Sequence, residues 1–114
     1  MLSNQNRLRL DSDFKRVKDQ GKLFQSEDFA LAVYDRGDGR DSRFGFVVST
    51  KISKSAVARN GIKRTLRAGV VENLPKVKRG ADAVFLVKPI ILKKKKDIVM
   101  VEVERAMKSA GLTG

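Results

Sequence analysis

The chain has 114 residues, 41% of them hydrophobic, which fits one domain over residues 1–114 with a modest core and is too short for two. Its 25 Lys and Arg against 13 Asp and Glu leave a net charge of +12, so a nucleic acid or another polyanion is the expected partner. With no Cys and no His, disulfides, thiolate zinc sites, His-ligated metals, Cys nucleophiles and His general bases are excluded. In chain order, the start Met1-Leu2-Ser3-Asn4 lacks the apolar stretch of a signal peptide, and no later run approaches the roughly 18 apolar residues of a spanning helix, so no membrane is expected and the cytoplasm is. Asp11 can cap a short amphipathic helix through Gln20, with Asp13 in its first turn and Gly21 at its end.

A further strand is placed near Leu23 to Ser26. From Phe29 to Asp35, Phe29, Leu31 and Val33 alternate with Ala30, Ala32 and Tyr34, the pattern of a half-buried strand, and Phe44 to Thr50 repeats it. Between them Asp-Arg-Gly-Asp-Gly-Arg-Asp-Ser reads as a turn, which makes the two strands an expected antiparallel hairpin. Asp35, Asp38 and Asp41 crowd that turn without the positional signature of a calcium loop, so no metal site is expected there. A helix is expected from Lys51 to Gly69, with Pro75 closing the helical region. Ala83 to Val87 is apolar throughout and suits a strand covered on both faces. The Lys93 to Lys96 run reads as a solvated loop that adds nonspecific attraction to RNA. Val99, Val103, Ala106 and Ala110 then recur at helical spacing, with Gly111 as the stop. The order α-β-β-(β)-α-β-α describes an α/β sandwich, helices packed on a small mixed sheet of about four strands.

The informative segment runs from Lys51 to Arg67. On a helix, Arg59, Lys63 and Arg67 stack at i, i+4 and i+8 with Asn60 and Arg64 on the adjoining row, while Ala58, Ile62 and Leu66 form a stripe facing away from them. Like charges at that spacing repel by a few tenths of a kcal/mol per pair, a cost that a polyphosphate partner removes. A solvated charged face is the plainer reading of the same residues. Asn60 suits an amide reaching phosphate, ribose or a base edge, or merely a local hydrogen bond. Phe14 reads as core or as a stacking platform. Tyr34, beside Ala30 and Ala32, floors either a groove or the seat of a helix.

Ala56-Val57-Ala58-Arg59-Asn60-Gly61-Ile62-Lys63-Arg64-Thr65-Leu66-Arg67 resembles the signature helix of the bacterial ribonuclease P protein subunit, Ala-Val-x-Arg-Asn-Arg-x-Lys-Arg-x-x-Arg, with five of six polar positions matching. Asn6-Arg7-Leu8, Asp13-Phe14-Lys15-Arg16-Val17, Gly45 to Lys51 and Gly80 to Val84 add to the resemblance, which spans Asn6 to Ala110. Gly61 departs from the pattern, removing a cation and placing a glycine mid-helix at roughly 1 kcal/mol relative to alanine. Lys18 stands where the family tends to carry a second aromatic.

The resemblance implies a protein that assists a catalytic RNA subunit in cutting the 5′ leader from precursor tRNA, with no catalytic residue and no metal ligand of its own and with Mg²⁺ held mainly by the RNA. It implies a catalytic-RNA face made of Lys51, Lys54, Arg59, Asn60, Lys63, Arg64 and Arg67, and a leader cleft made of Phe14, Lys18 and Tyr34. It also implies a left-handed βαβ crossover, and no required protein partner. A ribosomal protein or RNA chaperone is the alternative that composition alone favours, and a free-standing carboxylate nuclease is a second.

Overall fold

The computed structural model describes residues 2–113. Its main elements are α1 (Asp11–Gln20), β1 (Lys22–Gln25), β2 (Phe29–Asp35), β3 (Arg43–Val47), α2 (Ala56–Asn73), β4 (Ala81–Val87) and α3 (Lys96–Ser109), with 3-10 turns at Asn4–Asn6, Leu74–Lys76 and Pro89–Lys93. This is the α+β architecture expected, with four strands in one mixed sheet.

The strand order is β1-β2-β4-β3, which overturns the expected β2–β3 hairpin. β4 pairs antiparallel with β2, Leu31 opposite Phe85, and parallel with β3, Phe44 opposite Ala83. The hairpin lies one element earlier, between β1 and β2, closed by the Ser26 N–H donating to the Phe29 carbonyl at 2.9 Å. Apolar residues need cover on both faces and both edges, and β4 is the strand with no polar face to spare, so it takes the interior of the sheet. The Gly/Asp turn therefore carries the chain across the start of β4. Arg36 N–H donates to the Gly80 carbonyl and Gly80 N–H to the Arg40 carbonyl, both at 2.8 Å. Gly80 takes φ 95° there, where a side chain would run into the Asp38 backbone. Two of the three aspartates make local turn bonds: Asp35 accepts from Gly37 N–H at 2.8 Å and Asp38 from Arg40 N–H at 3.1 Å.

The sheet separates two apolar clusters. On one face Phe29, Leu31, Phe44 and Phe85 pack under Leu66 and Val70 of α2 and Val99, Val103 and Met107 of α3. Phe85 meets Phe29 edge-on at 5.1 Å and stacks on Phe46 at 5.4 Å. On the other face Val17 of α1 and Leu8 cover Ala32 and Val84, with Phe14 and Tyr34 at the margin. Ala32 thus lies beneath a helix.

Asp82, fully buried, ties the second layer together. Its carboxylate accepts a fork from Arg43 at 2.8 and 2.7 Å, a bond from Arg16 of α1 at 3.1 Å and another from Arg36 of the crossing loop. Burial alone would raise its pKa, but hydrogen bonds from Arg43 and Arg36 outweigh it and hold the group below the usual carboxylate range.

Several helix ends shift from their expected places. Leu10, not Asp11, is the residue before α1, and Asp11 and Asp13 lie within its first turn. α2 starts at Ala56 rather than Lys51, because the Ser55 hydroxyl accepts from Ala58 N–H at 3.2 Å. It runs past Gly69, where the missing side chain admits Val103 of α3. β3 ends at Val47 rather than Thr50. Lys94 is no solvated loop residue: it is half-buried and bonded to Glu27 at 2.6 Å, and Lys96 opens α3. Among the described residues, no helix is long and apolar enough to cross a membrane.

Candidate nucleic-acid interface

The residues of α2 divide into three strips. Ile62 and Leu66 face the core as the periodicity requires, with Leu66 fully buried. Asn60 and Arg64 point to solvent on the opposite side. Arg59, Lys63 and Arg67 do not share that outer side; all three are half-buried, and Lys63 and Arg67 lie on the flank at β3. At about 100° per residue, a row at i, i+4 and i+8 between the apolar stripe and the outer strip must fall on a flank. Arg67 places its guanidinium 5.8 Å from the centre of the Phe46 ring. Arg59 donates to the Ser53 carbonyl at 2.8 Å and so closes the turn before the helix, a turn that carries Lys51 and Lys54 exposed.

Phe14 reaches this flank from the opposite face of the sheet. A cleft of about 240 Å³ at the edge of β3 is lined by Phe14, Gly45, Phe46, Lys63 and Arg67, with Arg7 and Arg9 from the segment preceding α1. That segment is held there because Leu8 N–H donates to the Phe44 carbonyl at 2.9 Å. Gly45 makes the seat: a Cβ at this position would overlap the Phe14 ring. Phe14 is half-buried, its ring framed by Leu8 and Gly45.

The expected leader trio is not gathered in one cleft. Phe14 and Tyr34 both pack at the margin of the Val17–Ala32 cluster, but Tyr34 lines a separate depression with Gln20, Lys22 and Asp35. The Arg16 guanidinium lies 5.0 Å from the centre of the Tyr34 ring. Lys18 is exposed in the last turn of α1. Sequence reasoning missed four contributors: Arg7, Arg9, Gly45 and Phe46. Gly45 carried a signal, since glycine inside a strand pattern marks close approach of another group; Arg7 stood within the Asn6-Arg7-Leu8 match, and Arg9 carried nothing beyond its charge.

The assembled surface offers cations around an aromatic ring in a shallow cleft, the donor set that holds a single-stranded polynucleotide by phosphate contact and base stacking. Comparison with known proteins agrees. The ribonuclease P family model matches residues 2–111. The chain is similar to the ribonuclease P protein component of Synechocystis, 34% identical with 93% of this chain and 86% of that protein covered, and to that of Pseudanabaena, 39% identical with 82% and 80% covered. Among solved structures it resembles the RNase P protein of Thermotoga maritima in complex with 1-(4-fluorophenyl)-2-thiourea, 28% identical, TM-score 0.80, with 90% of this chain and 97% of that chain covered. The Staphylococcus aureus RNase P protein, 21% identical with TM-score 0.88 over 96% of this chain and 98% of that one, shares the fold. Matched along nearly its whole length in sequence and in fold, the chain belongs to the ribonuclease P protein family, the protein component of an endoribonuclease that cleaves tRNA precursors.

Proposed function

We propose that the protein acts in the cytoplasm as one domain, binding the catalytic RNA of ribonuclease P through α2 and the 5′ leader of precursor tRNA through the Phe14 cleft. The observation that carries this reading is the pairing of an exposed polar strip, Asn60 and Arg64, with a cationic flank that borders an aromatic cleft. Lys51, Lys54, Arg59, Asn60, Lys63, Arg64 and Arg67 meet the catalytic RNA. Phe14 stacks on a leader base, and Lys18 and Tyr34 flank the path beyond it. Lys63 and Arg67 border both surfaces, so the leader runs beside the catalytic RNA at β3. Hydrolysis belongs to the RNA subunit and the Mg²⁺ it holds, and the chain supplies positioning and charge neutralisation. A general RNA-binding module lacks the family match.

Adding the protein to a bacterial ribonuclease P RNA transcript lowers the Mg²⁺ needed to cleave precursor tRNA. Cleavage by RNA-free protein would sink the reading. If four to six cations meet phosphates, log affinity falls with log salt at a slope of roughly −3 to −5, about 0.7–0.9 per phosphate; a flat slope contradicts an electrostatic interface. Arg64→Ala weakens assembly with the RNA and reduces that slope by about one, leaving the melting temperature near wild type because the side chain is exposed. Unfolding of this variant would place Arg64 in the core instead.

A further inference from the structure

Gly61 is a helical glycine without a packing reason. A Cβ at Gly69 would press on Val103 at 3.0 Å, Gly21 and Gly45 sit against other atoms of the chain, and Gly37, Gly80 and Gly111 have positive φ. Gly39 has open space around it but lies in a loop, where glycine costs no helix. At Gly61 a Cβ would meet nothing within 4 Å. The free protein therefore bears glycine's helix penalty there with no contact in return.

The open space continues into a pocket of about 200 Å³ on the flank of α2 away from β3, floored by Ile62, Ile91, Leu92 and Val99 and rimmed by Lys94 and Lys96. Val57, one turn before Gly61 on the same side and outside the pocket lining, is 83% exposed, and Leu92 within the lining is 52% exposed, so apolar surface stands uncovered at and beside the pocket. Lys94 is engaged, 2.6 Å from Glu27 and 3.9 Å from buried Asp28. Lys96 pairs with no carboxylate among the described residues. An apolar floor, a helix backbone with no Cβ at Gly61, the Thr65 hydroxyl bonded to the Gly61 carbonyl at 3.1 Å and one unneutralised cation match a nucleotide, with base or ribose inward and phosphate outward.

We propose that this pocket receives one unstacked nucleotide of the RNA partner, seated on Ile62 and Leu92 with its phosphate toward Lys96, and that Gly61 gives its backbone clearance to approach α2. The proposal rests on α2 being the RNA face. Asn60 and Arg64 lie between this pocket and the Phe14 flank, so RNA crossing the outer strip arrives at its mouth.

The test uses the full chain and its cognate ribonuclease P RNA transcript, because RNAs whose own protein carries arginine at this position already accommodate a side chain there. Gly61→Ala and Gly61→Gln raise the melting temperature of the free protein, because both restore helix propensity. Gly61→Gln also weakens RNA binding by roughly five- to a hundred-fold, the loss of one base's seat, and Gly61→Ala weakens it less. Lys96→Gln reduces the salt slope by about one. Wild-type or tighter affinity in Gly61→Gln overturns the proposal, as does a lowered melting temperature, which would mean the position is packed after all. Arg64→Ala is measured alongside. If it weakens binding and Gly61→Gln does not, the pocket alone fails; if neither changes affinity, the RNA face itself fails.

Discussion

Asp82→Asn is expected to lower the melting temperature at pH 7 by on the order of 12–40 °C, the largest effect of any single substitution considered. Removing one partner of a buried ion network costs about 3–5 kcal/mol, and in a domain near this size each kcal/mol moves the midpoint by about 4–8 °C. Asn keeps the shape but leaves Arg16, Arg36 and Arg43 converging on a neutral group. Arg36 is the most enclosed of the three, 10% exposed, and has least access to water as a substitute. The pH dependence has a definite sign. Because the folded-state pKa of Asp82 lies below its unfolded value, the contribution is fully present above about pH 4 and is lost as pH falls through the folded value. Wild type and variant should therefore converge in stability as acid is added. A variant melting within two or three degrees of wild type at pH 7 would show that solvent serves the arginines as well as Asp82 does.

Phe14→Ala carries the largest expected effect on substrate binding. One lost stack weakens the holoenzyme's hold on precursor tRNA with a leader of several nucleotides by about 1–3 kcal/mol, with little change for mature tRNA and little for assembly with the RNA. Gly45→Ala reaches the same ring from behind: the new methyl displaces Phe14 from its seat against β3. Both variants should discriminate between long-leader and one-nucleotide-leader substrates. Equal losses on the two substrates, or a fall of many degrees in melting temperature for Phe14→Ala, would return that ring to the apolar cluster with Leu8 and Val17.

What the sequence disclosed follows from the range of the forces involved. α1 and β2 have their expected bounds and α3 ends one residue before Ala110, because periodicity, Gly21 and Gly111 act locally, but α3 opens at Lys96, three residues before Val99 and inside the run read as a loop. Gly111 has φ 76° one residue beyond the C-cap of α3, the left-handed position that ends helices. Strand order is set by residues far apart in the chain. Nothing local in Arg36–Ser42 distinguishes a hairpin turn from a loop that wraps Arg36 over the start of β4. Asp82 read as a boundary of an apolar run, and its three arginines arrive from α1, a loop and β3. The cationic run begins at Lys51, but the serine that caps α2 is Ser55, and charge says nothing about where a cap stands. At the candidate interface the cations of α2 were legible from charge and spacing. Their proximity to Phe14 was not, since it depends on the N-terminal segment pairing with β3.

The strand order also governs what happens during synthesis. β4 is the last strand made, yet it is the one that joins β2 to β3. At about 5–20 residues per second, the 40 residues from Val47 to Val87 take roughly 2–8 s to appear. Through that interval the nascent chain holds a lone two-stranded hairpin, marginal in water, and Phe29, Leu31 and Phe44 lack the β4 strand that brings them into one core. The same lysines and arginines that suit the finished protein to RNA repel one unfinished copy from another, keeping unpaired strands on one polysome from joining before β4 arrives.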